Sequence, residues 1–211
     1  MAHNGYKEAC REIQFILEHA QREILPALWV TPEMLMRSKH LKAFNEYPYY
    51  MFKIHGYMND WHSSPKLLER VFAIAEEQDL PVMLHTGGRS ESDAGRYQAV
   101  CQKYSNVKVV LAHGRPIAEA MSVIRTTKNV WVDTAFMSLN DIKRIVTSGL
   151  SDKIVYGSDL PLDEHFYPKA YPITRYRYRV NKLIETFGEA MFDQWSGKNF
   201  IQIVGNRRNV I

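Results

Sequence analysis

Six short apolar runs alternate with helix-like segments, and this rhythm is the feature that most constrains the fold. Several of the runs are apolar almost throughout instead of alternating with polar residues. Such runs are typical of parallel strands buried on both faces. We therefore predict strands at residues 24–30, 50–55, 81–85, 107–113, 129–133 and 153–157.

Amphipathic helices are predicted between the strands. Ser64 and Pro65 favour a helix start, and apolar residues then recur at helical spacing as far as Ala75. The same pattern marks three further segments, at 93–104, 117–126 and 140–149. Strand–helix units in succession predict an α/β fold with a parallel sheet.

The length of 211 residues fits one domain with a substantial core. We predict a single domain over residues 1–211, in which a helical tail, residues 162–211, packs on the strand–helix part. Hydrophobic residues make up 45% of the chain and charged residues 24%. These fractions exclude a disordered or collagen-like chain.

No apolar run approaches the roughly 20 residues that span a bilayer, and the first residues do not resemble a secretory signal. Cys10 and Cys101 are too few for a disulfide framework or a thiolate metal cluster. We therefore expect a cytoplasmic protein with no membrane partner. Because neither cysteine ends a strand and no Gly-x-Ser-x-Gly turn occurs, covalent catalysis by Cys or Ser is not expected.

The formal net charge is +4, and its densest positive cluster alternates arginine with tyrosine over residues 175–179. Arginine and tyrosine together can bind phosphates and stack on bases, so nucleic-acid binding is one hypothesis for this segment. We favour a solvated turn or helix start with aromatic packing, because one short cluster is not a basic face. No nucleic-acid partner is expected.

Polar side chains close four of the predicted strands. Lys53 and His55 end the second strand, His85 the third and His113 the fourth, while Asp159 follows the sixth. In a barrel of strand–helix units the C-terminal strand ends converge on one face, where active sites form. Packing needs do not explain this recurrence, so we expect one shared site.

Imidazole and carboxylate side chains suit a divalent ion. We predict His85 and Asp159 as metal ligands, with Asp159 also moving a proton. His113 is predicted to act as a third ligand or to hold or deprotonate the water that the ion acidifies.

The predicted substrate is a small anionic molecule. Lys53 and Arg115 are expected to hold its anionic group, with His55 beside Lys53; plain surface charge is the alternative for the lysine and the arginine. Asp133, which ends the fifth strand, is either a residue behind the site or a helix cap, and we favour the cap.

Four spaced segments carry a family resemblance: FKIH at 52–55, LPVMLHTG at 80–87, VLAHG at 110–114 and YGSDLP at 156–161. Together they resemble the amidohydrolase superfamily, specifically the amidohydrolase-2 branch of metal-dependent barrels. The resemblance extends from about residue 24 to the end, where WSGKNF at 195–200 is similar to the branch's closing helix.

The resemblance implies a (β/α)₈ barrel that holds a divalent metal, with zinc as the expected ion and manganese as the alternative. It implies that His85 ligates the metal and that His113 handles the catalytic water or ligates a second ion. Asp159 would ligate the metal and transfer a proton. The branch contains hydrolases of lactones and amides, and non-oxidative decarboxylases of small carboxylic acids.

Barrels of this branch open with a His-x-His strand, and this sequence contains no such pair. By this resemblance the six predicted strands match the third to the eighth strands of such a barrel, so we expect a TIM-barrel-like fold that is incomplete, with about six of eight units.

The expected function is a metal-dependent hydrolase, or a decarboxylase, acting on a small carboxylate-bearing substrate. The alternative is a catalytically impaired, truncated barrel that serves as a binding or assembly module. Exposed parallel edges would favour a homo-oligomer.

Overall fold

Six parallel strands form one sheet in the computed structural model, which describes residues 24–37, 49–160 and 172–205 together with positions 11, 14, 15 and 18. All six predicted strands are confirmed, and each is shorter than predicted. Their bounds are β1 (Ala27–Trp29), β2 (Met51–Ile54), β3 (Val82–His85), β4 (Val109–Ala112), β5 (Val130–Asp133) and β6 (Ile154–Val155).

The strands lie side by side in the order in which they follow along the chain, from β1 to β6. A sheet that always winds in one direction is a barrel wall, whereas a doubly wound sheet reverses its order at a switch point. Within the described ranges β1 and β6 each pair with a single neighbour. The TIM-barrel-like prediction is therefore confirmed, and the barrel is incomplete.

Helices follow the first five strands; four of them lie in the predicted places, and the short first helix was not predicted. They are α1 (Pro32–Met36), α2 (Pro65–Glu77), α3 (Gln98–Lys103), α4 (Ile117–Thr126) and α5 (Leu139–Thr147). Helix α5 starts after Ser138, whose hydroxyl oxygen accepts a hydrogen bond from the Asp141 backbone N–H at 3.1 Å. The predicted segment 93–104 begins as a 3-10 turn, Ala94–Tyr97, before it becomes α3.

The described part of the tail folds into α6 (Pro172–Phe187), α7 (Glu189–Asp193), a π-helical turn at Gln194–Lys198 and α8 (Asn199–Val204). Leu183 and Trp195 are fully buried in the main core. The Asn199 side-chain amide donates to the Ile154 carbonyl at 2.7 Å, which fastens α8 to β6. Residues 162–171 and 206–211 of the predicted tail, like Cys10, lie outside the described residues.

None of the helices in the described ranges combines the length and apolar character needed to cross a membrane.

The two faces of the sheet have different roles. Alternate strand residues, such as Phe52, Ile54 and Leu84, belong to the main core beneath α2 to α5. The intervening residues face the inside of the barrel wall, where a smaller apolar cluster joins the sheet to α8; its buried members are Val110, Trp131, Val155 and Ile203. Because side chains alternate along a strand, the sequence position of each polar residue decides which face it occupies.

Truncating Leu183 tests the packing of the tail on the sheet. Leu183→Ala should lower the free energy of unfolding by about 2–5 kcal/mol, because the Leu183 side chain is fully buried. The control Ile201→Ala removes a side chain that is 43% exposed and should cost less than about 1 kcal/mol. Urea denaturation of both variants checks the difference, and equal losses would contradict the packing described here.

Candidate active site

Strand alternation directs several polar residues onto the inner face of the barrel wall. Phe52 and Ile54 point into the main core, so Lys53 between them and His55 after them project inward. In the same way His85 follows the core residue Leu84 at the end of β3. Carboxyl ends of neighbouring parallel strands lie at one edge, which is why residues distant in sequence meet here.

Three imidazole rings form a continuous contact chain at this edge. The rings of His55 and His85 stack nearly parallel, with centroids 3.7 Å apart. The ring of His113 stands at 73° to that of His85, with centroids 4.8 Å apart. The structure thus brings together the three strand-end histidines that the sequence singled out, while their roles stay predictions.

The backbone of His113 leaves the strand conformation, with φ of +70°. Regular alternation after Leu111, a core residue, would direct the side chain of residue 113 towards the helices. The left-handed conformation turns the imidazole into the site instead. This conformation costs a non-glycine residue about 1–2 kcal/mol, and it persists only where the surroundings impose it.

Asp133 supplies that constraint from the end of β5. One oxygen of its buried carboxylate, Oδ1, accepts hydrogen bonds from the backbone N–H groups of His113 and Ala135, both at 2.9 Å. The interpretation of Asp133 as a helix cap is wrong, because Ser138 caps the following helix. Asp133 lies behind the site and fixes the turn that carries His113.

The hydrogen bonds of His113 define which ring nitrogen faces the site. Nδ1 lies 3.2 Å from the Ala135 carbonyl oxygen, which can only accept, so Nδ1 carries the proton. In the neutral ring Nε2 then has a free lone pair. Nε2 faces Oδ2 of Asp159 at 3.9 Å, too far for a direct hydrogen bond. Asp159 also has a left-handed backbone, with φ of +56°.

Burial keeps the imidazoles neutral. Desolvation, followed by the nearby charges of the other histidines and Lys53, lowers the pKa of His85 to about 2 and that of His55 to about 4. Burial also lowers the pKa of His113, while Asp133 and Asp159 act in the opposite direction. Neutral imidazole is the form that binds metals and accepts protons.

Lys53 projects from β2 towards the cluster and is half-buried. Burial lowers the pKa of its ammonium group, and the carboxylates of Asp133 and Asp159 act to raise it. Lys53 therefore lies inside the barrel wall and is not simple surface charge. Arg115 lies at the rim instead: its side chain is exposed, and Nη2 donates to the Phe136 carbonyl at 2.9 Å.

Sequence reasoning missed two aromatic residues that enclose the imidazoles. Trp29 stacks on His55 with centroids 5.6 Å apart, and Tyr57 meets the same ring edge-on at 4.7 Å. Trp29 pairs in register with Lys53, so it projects from the same face of the sheet. The direction of Trp29 could have been inferred from the alternation of side chains along the strand. Its neighbours Leu28 and Val30 are core residues, so Trp29 between them faces the other side of the sheet.

The donor types at this site suit a divalent ion, but their arrangement is incomplete. Two ligands of a tetrahedral zinc ion lie about 3.4 Å apart, given zinc–ligand distances near 2.1 Å. The His113–Asp159 separation of 3.9 Å is therefore slightly wide. Across the described part of the chain, no three His, Cys, Asp or Glu side chains are arranged to hold a metal ion.

The protein is an incomplete parallel barrel with histidines and an aspartate at its C-terminal strand ends. These features are those of the metal-dependent barrel hydrolases, which are the class of protein to compare it with. The family model described as Amidohydrolase matches residues 11–199, which is most of the chain. The chain belongs to this amidohydrolase family. The resemblance stated from the sequence is thereby confirmed, and it supports an enzyme of the hydrolase or lyase kind.

Solved structures share the fold at low sequence identity. Amidohydrolase 2 from Bifidobacterium longum subsp. infantis is 16% identical with a TM-score of 0.66, covering 93% of this chain and 75% of that one. A probable 2-pyrone-4,6-dicarboxylic acid hydrolase from Acinetobacter baumannii, with citric acid bound, is 12% identical with a TM-score of 0.70 and coverages of 92% and 77%.

A Burkholderia multivorans amidohydrolase with bound zinc is 13% identical with a TM-score of 0.66, covering 95% of this chain and 79% of that one. At these identities the likeness to solved structures shows the fold alone. A search of curated proteins gives no match.

Paired substitutions test the left-handed backbone of His113. Both His113→Gly and His113→Ala remove the imidazole, but only glycine adopts a positive φ without steric cost. We expect His113→Gly to be more stable than His113→Ala by about 1 kcal/mol in urea denaturation. At His62, whose φ is not positive, the order should reverse, with alanine more stable by about 0.5 kcal/mol. The same order at both positions would contradict the conformation of His113.

Proposed function

We propose that the chain is a metal-dependent hydrolase that acts on a small carboxylate-bearing substrate at the imidazole cluster. The observation that carries the proposal is the meeting of His55, His85 and His113 at one strand edge, with Nε2 of His113 directed at Asp159. Family membership supports the reaction class. A non-oxidative decarboxylase of a small carboxylic acid is the variant reaction on the same site.

His85 and Asp159 are the residues that would hold the ion, with zinc preferred over manganese because imidazole is among the donors. His113 would be either a third ligand or the base that takes a proton from the water, because its Nε2 has a single lone pair. A bound divalent ion lowers the pKa of a coordinated water towards neutrality. The zinc-bound relative from Burkholderia multivorans is in keeping with this choice.

The chain's own groups would move the protons. Nε2 of His113 has a free lone pair and can take a proton from the attacking water, because Nδ1 is already bonded to the Ala135 carbonyl. The Asp159 side chain is more exposed than that of His113, and its Oδ2 faces Nε2 of His113. Asp159 would therefore return a proton to the leaving oxygen or nitrogen. In this hydrolysis the water oxygen bonds to the acyl carbon while the carbon–oxygen or carbon–nitrogen bond breaks.

Cationic groups would hold the acidic part of the substrate. Lys53 projects into the cluster from β2, beside His55, and Arg115 stands at the rim. Trp29 and Tyr57 close the opposite side of the imidazoles, which limits access of bulk water.

We also propose a cytoplasmic location, which the buried free thiol of Cys101 supports within the described residues.

A binding or assembly module is the second candidate function. The observation that favours it is the lack, in the described segments, of three side chains arranged around a common ion position. Such a module would keep the fold and the cluster without turnover. The two candidates differ in metal content and in activity, which can be measured on the same preparation.

Metal content and turnover test the proposed hydrolase directly. We expect the purified protein, after incubation with zinc and removal of excess ion, to retain zinc and to hydrolyse members of a panel of carboxylate-bearing lactones and amides. Asp159→Asn and His113→Gln should each lower turnover by about 100-fold or more. The measurements are elemental analysis of bound metal and chromatographic detection of the hydrolysis product.

Two substitutions at exposed positions serve as matched controls, Asp152→Asn and His62→Gln. They change the same side-chain types outside the cluster and should leave metal content and turnover unchanged. A wild-type protein that binds neither zinc nor manganese and turns over no member of the panel would overturn the hydrolase and leave the binding module.

We further propose that the protein forms a homo-oligomer, because β1 and β6 are edge strands of the described sheet. Unpaired backbone groups along an edge strand favour pairing with another chain. Light scattering coupled to size-exclusion chromatography should give a mass of at least twice 24.6 kDa. A strict monomer at all concentrations would contradict this proposal.

A further inference from the structure

The backbone turn from Ala112 to Arg115 carries His113 into the site and leaves the extended conformation at two successive positions. His113 and Gly114 both have left-handed backbones, with φ of +70° and +53°. A turn that holds a histidine in this conformation persists only where its surroundings impose it. Asp133 binds the middle of the turn, through the backbone N–H of His113. The two ends of the turn are held by a different residue.

Thr86, which directly follows His85, binds both ends of this turn. Its hydroxyl donates to the Ala112 carbonyl at 2.6 Å and accepts the Arg115 backbone N–H at 2.7 Å. The backbone N–H of Thr86 also donates to the Ala112 carbonyl, at 3.1 Å. Thr86 is only 1% exposed, so water hardly competes for these bonds. One hydroxyl thus spans the turn from the residue before His113 to the second residue after it.

The loop that follows β3 also packs directly against this turn. A Cβ atom at Gly87 would lie 2.6 Å from Cβ of Arg115, a clash that only glycine avoids. The Arg115 carbonyl accepts the backbone N–H of Ala94 at 2.9 Å, so both backbone groups of Arg115 are bonded. The position of the turn is therefore set from the β3 side by Thr86 and its neighbours, as well as from the β5 side by Asp133.

Thr134 repeats this arrangement two strands further along the sheet. It directly follows Asp133, is fully buried, and its backbone N–H donates to the carbonyl of Val155, the last residue of β6, at 3.1 Å. Its hydroxyl donates to the Gly157 carbonyl at 3.3 Å and accepts the Gly157 N–H at 3.2 Å. Gly157 precedes Asp159 by two residues. In both places a threonine after a polar strand-end residue binds the loop that carries the next polar residue of the site.

We propose that Thr86 is a positioning residue for the His113 imidazole, and that its hydroxyl, together with the Asp133 carboxylate, keeps Nδ1 of that ring on the Ala135 carbonyl. Thr86 acts through the backbone of the turn. That the imidazole held in this way takes part in catalysis rests on the proposed function, but its dependence on Thr86 does not. The alternative is that the hydroxyl only stabilises the fold, in which case the loss of a similar bond elsewhere has the same effect.

NMR detection of the His113 Nδ1 proton tests the positioning without reference to turnover. In the chelator-treated 211-residue chain this proton should exchange slowly with solvent, because the buried ring donates it to the Ala135 carbonyl. Thr86→Val keeps the shape of the side chain and removes the hydroxyl, so it should speed this exchange by about tenfold or more. Thr86→Ser keeps the hydroxyl and should stay within about threefold of the wild type.

Thr127→Val is the matched control. The Thr127 side chain is also buried and donates to the Val123 carbonyl at 2.6 Å, but Thr127 lies between α4 and the start of β5, at the opposite edge of the sheet. Its substitution also removes a buried hydrogen bond and should leave the exchange of the His113 Nδ1 proton within about twofold.

Equal acceleration by Thr86→Val and Thr127→Val, or no acceleration by Thr86→Val, would overturn the proposal. If Thr86→Val does not fold, Thr86→Ala removes the same hydroxyl with a smaller side chain, and the same comparison with Thr127→Val decides.

Turnover, measured on the same proteins with added zinc, separates this proposal from the hydrolase. In an active enzyme Thr86→Val should lower kcat by about tenfold or more, as is usual for a group that orients a residue of a metal site, and Thr86→Ser should retain most of the activity. A protein without turnover whose Nδ1 proton depends on Thr86 would support the positioning and reject the enzyme. An active enzyme in which Thr86→Val changes neither the exchange nor kcat would support the enzyme and reject the positioning.

Discussion

The carboxylate of Asp133 fixes the backbone turn on which the candidate site depends. By accepting N–H groups from His113 and Ala135, it holds residue 113 in a left-handed conformation that an unsupported histidine would avoid. The same turn presents the Ala135 carbonyl to Nδ1 of His113. One buried acidic group thereby sets the position of the imidazole, its protonated nitrogen and the direction of its free lone pair.

Electrostatic balance explains how so many polar groups share a buried edge. The imidazoles are neutral because desolvation lowers the pKa values of His55 and His85 far below neutrality. Burial likewise lowers the pKa of Lys53, while the carboxylates of Asp133 and Asp159 act to raise it. A positive charge without these partners would be costly on this face. The cluster is thus stabilised as a set, and its members are not independent of one another.

Much of the fold and part of the site could be predicted from the sequence, for identifiable reasons. Apolar runs report strands directly, and the strand ends place His55, His85 and His113 at one edge because parallel strands share a direction. The role of Asp133 could not be predicted, since it depends on a backbone conformation at a residue twenty positions away. A cavity between α6 and the carboxyl ends of β5 and β6 depends on how that helix lies against the sheet, which no local sequence pattern encodes.

The alternation of side chains across the sheet separates chemistry from architecture. Residues that hold α2 to α5 in place lie on one side of each strand, while Lys53, His85 and Asp133 project from the other. Substitutions on the inner side leave the helix-facing contacts intact. Over evolutionary time, such a scaffold can exchange one reaction for another, or lose catalysis altogether, and still produce a chain that folds and persists in the cell.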